Sequence, residues 1–166
     1  NPQHPVAQFF EFIPSMAFER PWTFVSSIFM HADLSHLFFN MFALFIFGTY
    51  LESRIGAGAF LLIYFLAGIF GNFGYMVTAA NPNIPGVGAS GAVYGLVGAL
   101  AAVAPLAIVY VGFAPMPMIF VAILYGITEF FGLFVPSGIA RGAHLGGLII
   151  GFLYGLYLRS EMRHYR

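Results

Sequence analysis

From Ile55 through Thr128 the chain carries no Asp, Glu, Lys, Arg or His. A soluble domain has about a quarter of its residues charged, so a neutral stretch this long has little to offer a water-facing surface. The rest of the 166 residues agree, with 60% apolar, 19% aromatic and only 7% charged. Such a chain belongs in a bilayer, and the expected class is all-α, a polytopic transmembrane helix bundle.

A helical span needs about 20 apolar residues. The first candidate runs from Leu34 to Leu51, closed by Glu52 and Arg54, and the second from Ala57 to Thr78. Asn81-Pro82-Asn83-Ile84-Pro85-Gly86 then signals a turn. The third, Ser90 to about Ala104, is short for a full crossing and ends at Pro105. The fourth lies between Pro117 and Pro136, from Met118 to Phe134, and the fifth runs from Gly142 to Leu158. Residues 1–30 interleave Phe9, Phe10, Phe12, Phe18, Trp22 and Phe24 with Glu11, Glu19 and Arg20, a mixture suited to the headgroup layer. One domain over residues 1–166 is expected, with an interfacial segment 1–30, a helix bundle 31–158 and a basic tail 159–166. The opening Asn-Pro-Gln-His-Pro reads as the middle of a loop, so the natural chain is expected to start upstream.

Six arginines, no lysine and six acids give zero net charge and no basic surface for nucleic acid. With no cysteine, disulfides, thiolate catalysis and cysteine metal sites are excluded. Placing Arg54 and the three tail arginines in the cytoplasm leaves only Arg20 and Arg141 outside, in keeping with the positive-inside bias. Spans one, three and five then all enter from outside. At about 1.5 Å per residue, His36, Asn40, Ser90 and His144 fall at one depth, within the outer third of the membrane.

Ser90 sits in Gly88-Ala89-Ser90-Gly91-Ala92-Val93-Tyr94-Gly95. A serine among small residues in a membrane helix is often there for close helix packing. Alternatively, Gly88 and Gly91 free the backbone to set the hydroxyl beside a helix N-terminus, whose unpaired N–H groups stabilise an anion. A nucleophilic serine needs such an environment for its oxyanion. His144 could bridge two helices, but an ionisable group inside an apolar span is a functional candidate. A general base must be neutral at rest, which an apolar setting favours. Gly142, Gly146, Gly147, Gly151 and Gly155 give the last span two interlocked small-residue ladders, and Gly91 and Gly95 repeat that spacing beside Ser90. Helices faced in this way can pack closely enough to bring Ser90 and His144 together.

His36 and Asn40, four residues apart, share a helix face. They read either as donors completing an oxyanion hole with the Ser90 N–H or as an interfacial capping cluster. His31 and Asp33 are read as solvated capping residues. Tyr94, one turn after Ser90, supports the His144 ring or is an interface aromatic. No His-Glu-x-x-His exists for zinc, His31 and His36 are poorly spaced as a metal pair, and Asp33 is the only aspartate. No metal or cofactor is expected. Glu129, the one acid within a span, is read as lying near the far-end loop and away from His144. The expected machinery is a Ser–His dyad.

These residues closely resemble the rhomboid family of intramembrane serine proteases. The resemblance rests on Gly88-Ala89-Ser90-Gly91 with Tyr94, on Ala143-His144-Leu145-Gly146-Gly147 with Gly151, and on His31, His36 and Asn40 in His-Ala-Asp-Leu-Ser-His-Leu-Phe-Phe-Asn. Gly48-Thr49-Tyr50-Leu51-Glu52-Ser53-Arg54-Ile55-Gly56 also resembles the family's turn between helices two and three. The family often has Arg after the tryptophan, where this chain has Thr23.

The resemblance covers about residues 20 to 158 and implies helices two to six of a six-helix core, preceded by a membrane-lying loop. It also implies that Ser90 is the nucleophile and His144 the base, with His36, Asn40 and the Ser90 N–H holding the oxyanion, and Tyr94, Gly88, Gly147 and Gly151 in support. The implied partners are the lipid bilayer and single-span membrane protein substrates, cut near the outer face after lateral access beside residues 118–134. The implied location is a prokaryotic cell (inner) membrane. The competing readings are an inactive relative that binds membrane clients without cleaving them, and a channel or transporter. The channel or transporter reading lacks the expected midplane polar residues.

Overall fold

The computed structural model describes residues 5–135 and 137–164. Expectations that rest on residues 1–4, Pro136 and residues 165–166 lie outside them. Among the described residues the α-helices are α1 (Pro5–Phe10), α2 (Thr23–Ser26), α3 (Leu34–Ala43), α4 (Thr49–Thr78), α5 (Ser90–Val103), α6 (Met118–Gly132) and α7 (Arg141–His164). A π-helical turn, Leu44–Gly48, joins α3 to α4. The fold is an all-α bundle, with one small antiparallel hairpin of β1 (Ile108–Val111) and β2 (Ala114–Pro117) added between α5 and α6.

Local chemistry sets the boundaries. Asp33 has extended backbone and its side chain accepts the His36 N–H at 2.7 Å, a cap that starts α3. Within α4, Gly56 takes φ 79° and ψ 160°, which only glycine adopts without strain, and the helical run breaks there. The first span thus continues past its expected end at Leu51 to this glycine. After α4, Asn81 Oδ1 accepts the Asn83 N–H at 3.0 Å and shapes the expected turn. By length and composition the run Leu34–Thr78 is long and apolar enough to cross a membrane, whereas α5 and α6 are apolar but shorter. α5, with 14 residues, spans about 21 Å.

α5 is the centre of the bundle, and from Gly91 to Ala102 only Tyr94 is not buried. The glycines of α7 fall into two sets. A Cβ on Gly147, Gly151 or Gly155 would collide with the backbone of Gly91, Gly95 or Ala99 on α5. A Cβ on Gly142 or Gly146 would collide with Gly74 or Phe70 on α4. One ladder therefore seats α7 on α5 and the other seats it on α4, and both contacts run at backbone distance.

The segment before α3 is tied to the bundle. Phe12 and Gly86 exchange backbone hydrogen bonds at 3.1 and 2.7 Å, and the Phe24 ring lies 4.5 Å from Phe73. At the other end α7 continues beyond the expected limit at Leu158. Arg159 is helical and donates to the Ala102 carbonyl at 3.1 Å, satisfying an acceptor at the end of α5. The basic tail expected from residue 159 is thus helix through His164.

Candidate active site

Ser90 opens α5 two residues after Gly88, a glycine that no other residue replaces easily. Gly88 has φ +120°, and a Cβ there would press on the His36 ring, with Asn40 Nδ2 3.8 Å away. Its N–H donates to the Ser27 carbonyl at 3.0 Å. Ser27 is held in turn by Asn72, whose buried amide donates to Ser27 Oγ and to the Phe24 carbonyl, each at 2.9 Å. The position of Ser90 is therefore fixed through Gly88, Ser27 and Asn72. Asn72 was not anticipated from sequence, although an amide inside an otherwise apolar span is the kind of signal that could have singled it out. No side chain caps the start of α5, so its first N–H groups remain available to an anion.

The glycine ladder brings α7 against this start, and Ser90 Oγ lies 2.8 Å from His144 Nε2. The Tyr94 ring stacks on the His144 imidazole, with centroids 4.3 Å apart and planes 7° from parallel. Of the two readings of Tyr94, the geometry agrees with support of His144. These groups share a cavity of about 530 Å³ with His36 and Asn40.

His36 faces the site by a specific edge. The Ala32 N–H approaches Nδ1 at 3.4 Å, which puts the ring proton on Nε2, the side turned toward Gly88. Asn40 is buried, and its Nδ2 donates to the His36 carbonyl at 2.8 Å, leaving a second amide hydrogen. Both residues are thus brought to the cavity, while the capping role falls to Asp33. His31 departs from its expected solvated state: Nε2 is buried without a hydrogen-bond partner among the described residues, and the ring meets His36 edge-on at 5.2 Å. Burial, and next the neighbouring His36, holds the His31 imidazole below its ordinary pKa.

The main correction concerns Glu129. It was expected away from His144, and instead its Oε1 lies 3.1 Å from His144 Nδ1. The pair is close but not aligned as a hydrogen bond, since Nδ1 has no hydrogen-bonded partner by direction. The same oxygen accepts the Tyr94 hydroxyl at 2.7 Å, and Oε2 accepts from Arg141 at 3.2 Å. The physical reason is direction of travel. α6 runs toward the end of the bundle from which α5 and α7 start, so a residue near its C-terminus arrives level with Ser90 and His144. Arg141, read only as a charge outside the spans, proves to be the carboxylate's partner.

The family model for the Rhomboid domain matches residues 19–161. The chain is 34% identical over 145 residues to "Putative rhomboid protease YdcA" of Bacillus subtilis, covering 87% of this chain and 71% of that protein. It is 36% identical over 137 residues to rhomboid protease GluP of the same organism, covering 79% of this chain and 25% of that longer protein. It is also 35% identical over 79 residues to Inactive RHOMBOID-like protein 8 of Arabidopsis thaliana, covering 48% of this chain and 22% of that protein.

Proposed function

The chain belongs to the rhomboid family of membrane proteins, and from that premise we propose that it is an intramembrane serine endopeptidase using Ser90 and His144. The observation that carries this reading is the 2.8 Å approach of Ser90 Oγ to His144 Nε2. Ser90 Oγ attacks the scissile carbonyl carbon while its proton passes to Nε2. The resulting oxyanion is held by the Ser90 N–H, His36 Nε2–H and the free amide hydrogen of Asn40. His144 returns the proton to the leaving amine, leaving an acyl-enzyme on Ser90. Water, activated by the same imidazole, then releases the second product.

Substrates are proposed to be single-span membrane proteins cut near the outer face, and the whole chain to act as one domain. The bacterial relatives support a prokaryotic cell membrane as its location. The inactive relative keeps open a client-binding role without cleavage. Against it stands the presence here of both a serine and a histidine at hydrogen-bonding distance.

Reconstitution in liposomes with a transmembrane model substrate tests the proposal. Ser90→Ala abolishes cleavage and leaves the thermal midpoint unchanged, because only a hydroxyl beside small neighbours is lost. A fluorophosphonate attaches to Ser90, located by mass spectrometry, and labelling slows sharply in His144→Ala. Cleavage that survives Ser90→Ala, or full-rate labelling without His144, would end this reading.

A further inference from the structure

We propose that Glu129 is a positioning residue for His144, so that the Ser90–His144 pair works with a buried carboxylate behind it. The proposal rests on the protease reading above. Glu129 is 5% exposed on a helix that is otherwise apolar around its buried stripe of Met118, Val121 and Ala122. A carboxylate in such surroundings is costly unless its oxygens are occupied, and both are. Oε2 takes Arg141, while Oε1 takes the Tyr94 hydroxyl and faces His144 Nδ1. Three helices thus converge on one imidazole. Tyr94 of α5 covers its face, Glu129 of α6 meets its Nδ1 edge, and α7 carries the ring itself.

The chemical consequence is a choice of tautomer. A carboxylate is acceptor-only, so the ring nitrogen beside it carries the hydrogen. With the proton on Nδ1, Nε2 keeps its lone pair toward Ser90 Oγ. When Ser90 attacks, its O–H bond breaks, a bond forms from Oγ to the carbonyl carbon, and Nε2 gains the proton. The imidazolium so formed lies against Glu129, which stabilises it and takes no proton itself. The 3.1 Å resting contact is not a straight hydrogen bond, and such contacts often tighten only as charge develops. Arg141 and Tyr94 hold the carboxylate in place for that moment. The competing explanation is a clamp, in which Glu129 exists to tie α6 to the start of α7 through Arg141.

Glu129→Gln separates the two, because glutamine fills the same space but can present an N–H to Nδ1 and favour the wrong tautomer. For the positioning role, kcat falls between about a hundredfold and ten-thousandfold, the upper figure being typical when an acid behind a catalytic histidine becomes an amide. KM stays within about twofold, and fluorophosphonate labelling of Ser90 slows in step with kcat. The ¹⁵N ring signals of His144 move from the Nδ1–H to the Nε2–H pattern. Arg141→Gln, which removes the clamp and keeps the carboxylate, retains the wild-type tautomer. If Glu129→Gln does not accumulate as folded protein, the Glu129→Gln/Arg141→Gln pair removes the orphaned guanidinium and is read in the same way. A folded glutamine variant with wild-type kcat and ring signals overturns the proposal. So does an Arg141→Gln variant that reproduces the whole loss with the tautomer unchanged in both. If Ser90 in the wild type takes no fluorophosphonate, the protease reading fails first, which distinguishes that failure from this one.

Discussion

α5 and α3 each bring part of the candidate site, and they are held in opposite ways. α5 is enclosed by backbone-close neighbours, with Gly91 and Gly95 against α7 and Ala67 of α4 against Gly95. α3 turns most of its surface outward. Leu34, Phe38, Phe39 and Phe42 are exposed, as is Phe45 in the π-helical turn after it, and Asn40 is the buried residue of the helix. The contrast follows the demands on each part. In the proposed reaction, proton transfer from Ser90 to His144 uses the 2.8 Å approach of the two side chains, and a misplacement of about 1 Å can cost a hundredfold in rate. Backbone packing with no side chains between is the arrangement least able to drift. On the same proposal His36 and Asn40 donate hydrogen bonds to the oxyanion formed in that step, and they sit on a helix anchored along one edge, with its phenylalanines exposed.

Among changes that bear on this contrast, the largest effect is expected where a side chain is forced into the tight interface. In Gly147→Val a branched side chain meets the Gly91 carbonyl, and α7 must move away from α5. Cleavage should fall by about a hundredfold or more, and the thermal midpoint should fall with it, since overpacking costs about 1–3 kcal/mol. Paired thermal-shift and liposome-cleavage measurements check this. Normal values in both would mean that the ladder does not seat the two helices, and the contrast with α3 would collapse.

Next in size are the donors on the loosely held helix. Asn40→Ala and His36→Ala should each slow turnover by about a hundredfold, the usual loss of about 3 kcal/mol for one oxyanion donor. His36→Ala should barely move the thermal midpoint, unlike Gly147→Val. Single-turnover cleavage rates decide the matter, and unchanged rates in both variants would return these residues to a purely structural role.

The smallest effect sharpens the comparison from the lipid side. Phe38 is exposed, so Phe38→Ala opens no cavity inside the protein. Its stability should change by less than about 0.5 kcal/mol, and cleavage should stay within about twofold. A destabilisation typical of a core phenylalanine, about 3–5 kcal/mol, would show that α3 is packed against protein on that face.

Much of the site could be read before any coordinates. Ser90 between glycines, His144 within a glycine ladder, and His36 with Asn40 one turn apart each announce themselves, because a polar group in an apolar span has few reasons to be there. Glu129 satisfies the same criterion and was still misplaced. The directions of the spans already put the end of the fourth level with the start of the fifth, and Tyr125 lies one turn before Glu129, its ring 5.4 Å from that of Tyr94. What hid the carboxylate is that α6 is apolar nearly all round, so hydrophobic periodicity does not reveal which stripe faces the bundle. Asn72 was overlooked for a related reason. Its partners, Ser27 and the Phe24 carbonyl, lie in a segment read as resting on the membrane, and that reading gave no hint that the segment also packs onto α4.

The sequence by itself determined where the long apolar helices start, though not how far the last one runs beyond Leu158, which of them could approach at backbone distance, and which polar groups share a depth. All of these are properties of composition and spacing along one segment. Only the tertiary structure decided how each helix is rotated about its own axis. That rotation separates the two glycine ladders of α7 between α5 and α4, and it turns Glu129 inward to meet His144, Tyr94 and Arg141. A helix presents a new direction every 100° of turn, and its own sequence sets that angle only where one face differs clearly from the rest. In an apolar helix surrounded by lipid and protein of similar polarity, the angle is set by the neighbours it packs against.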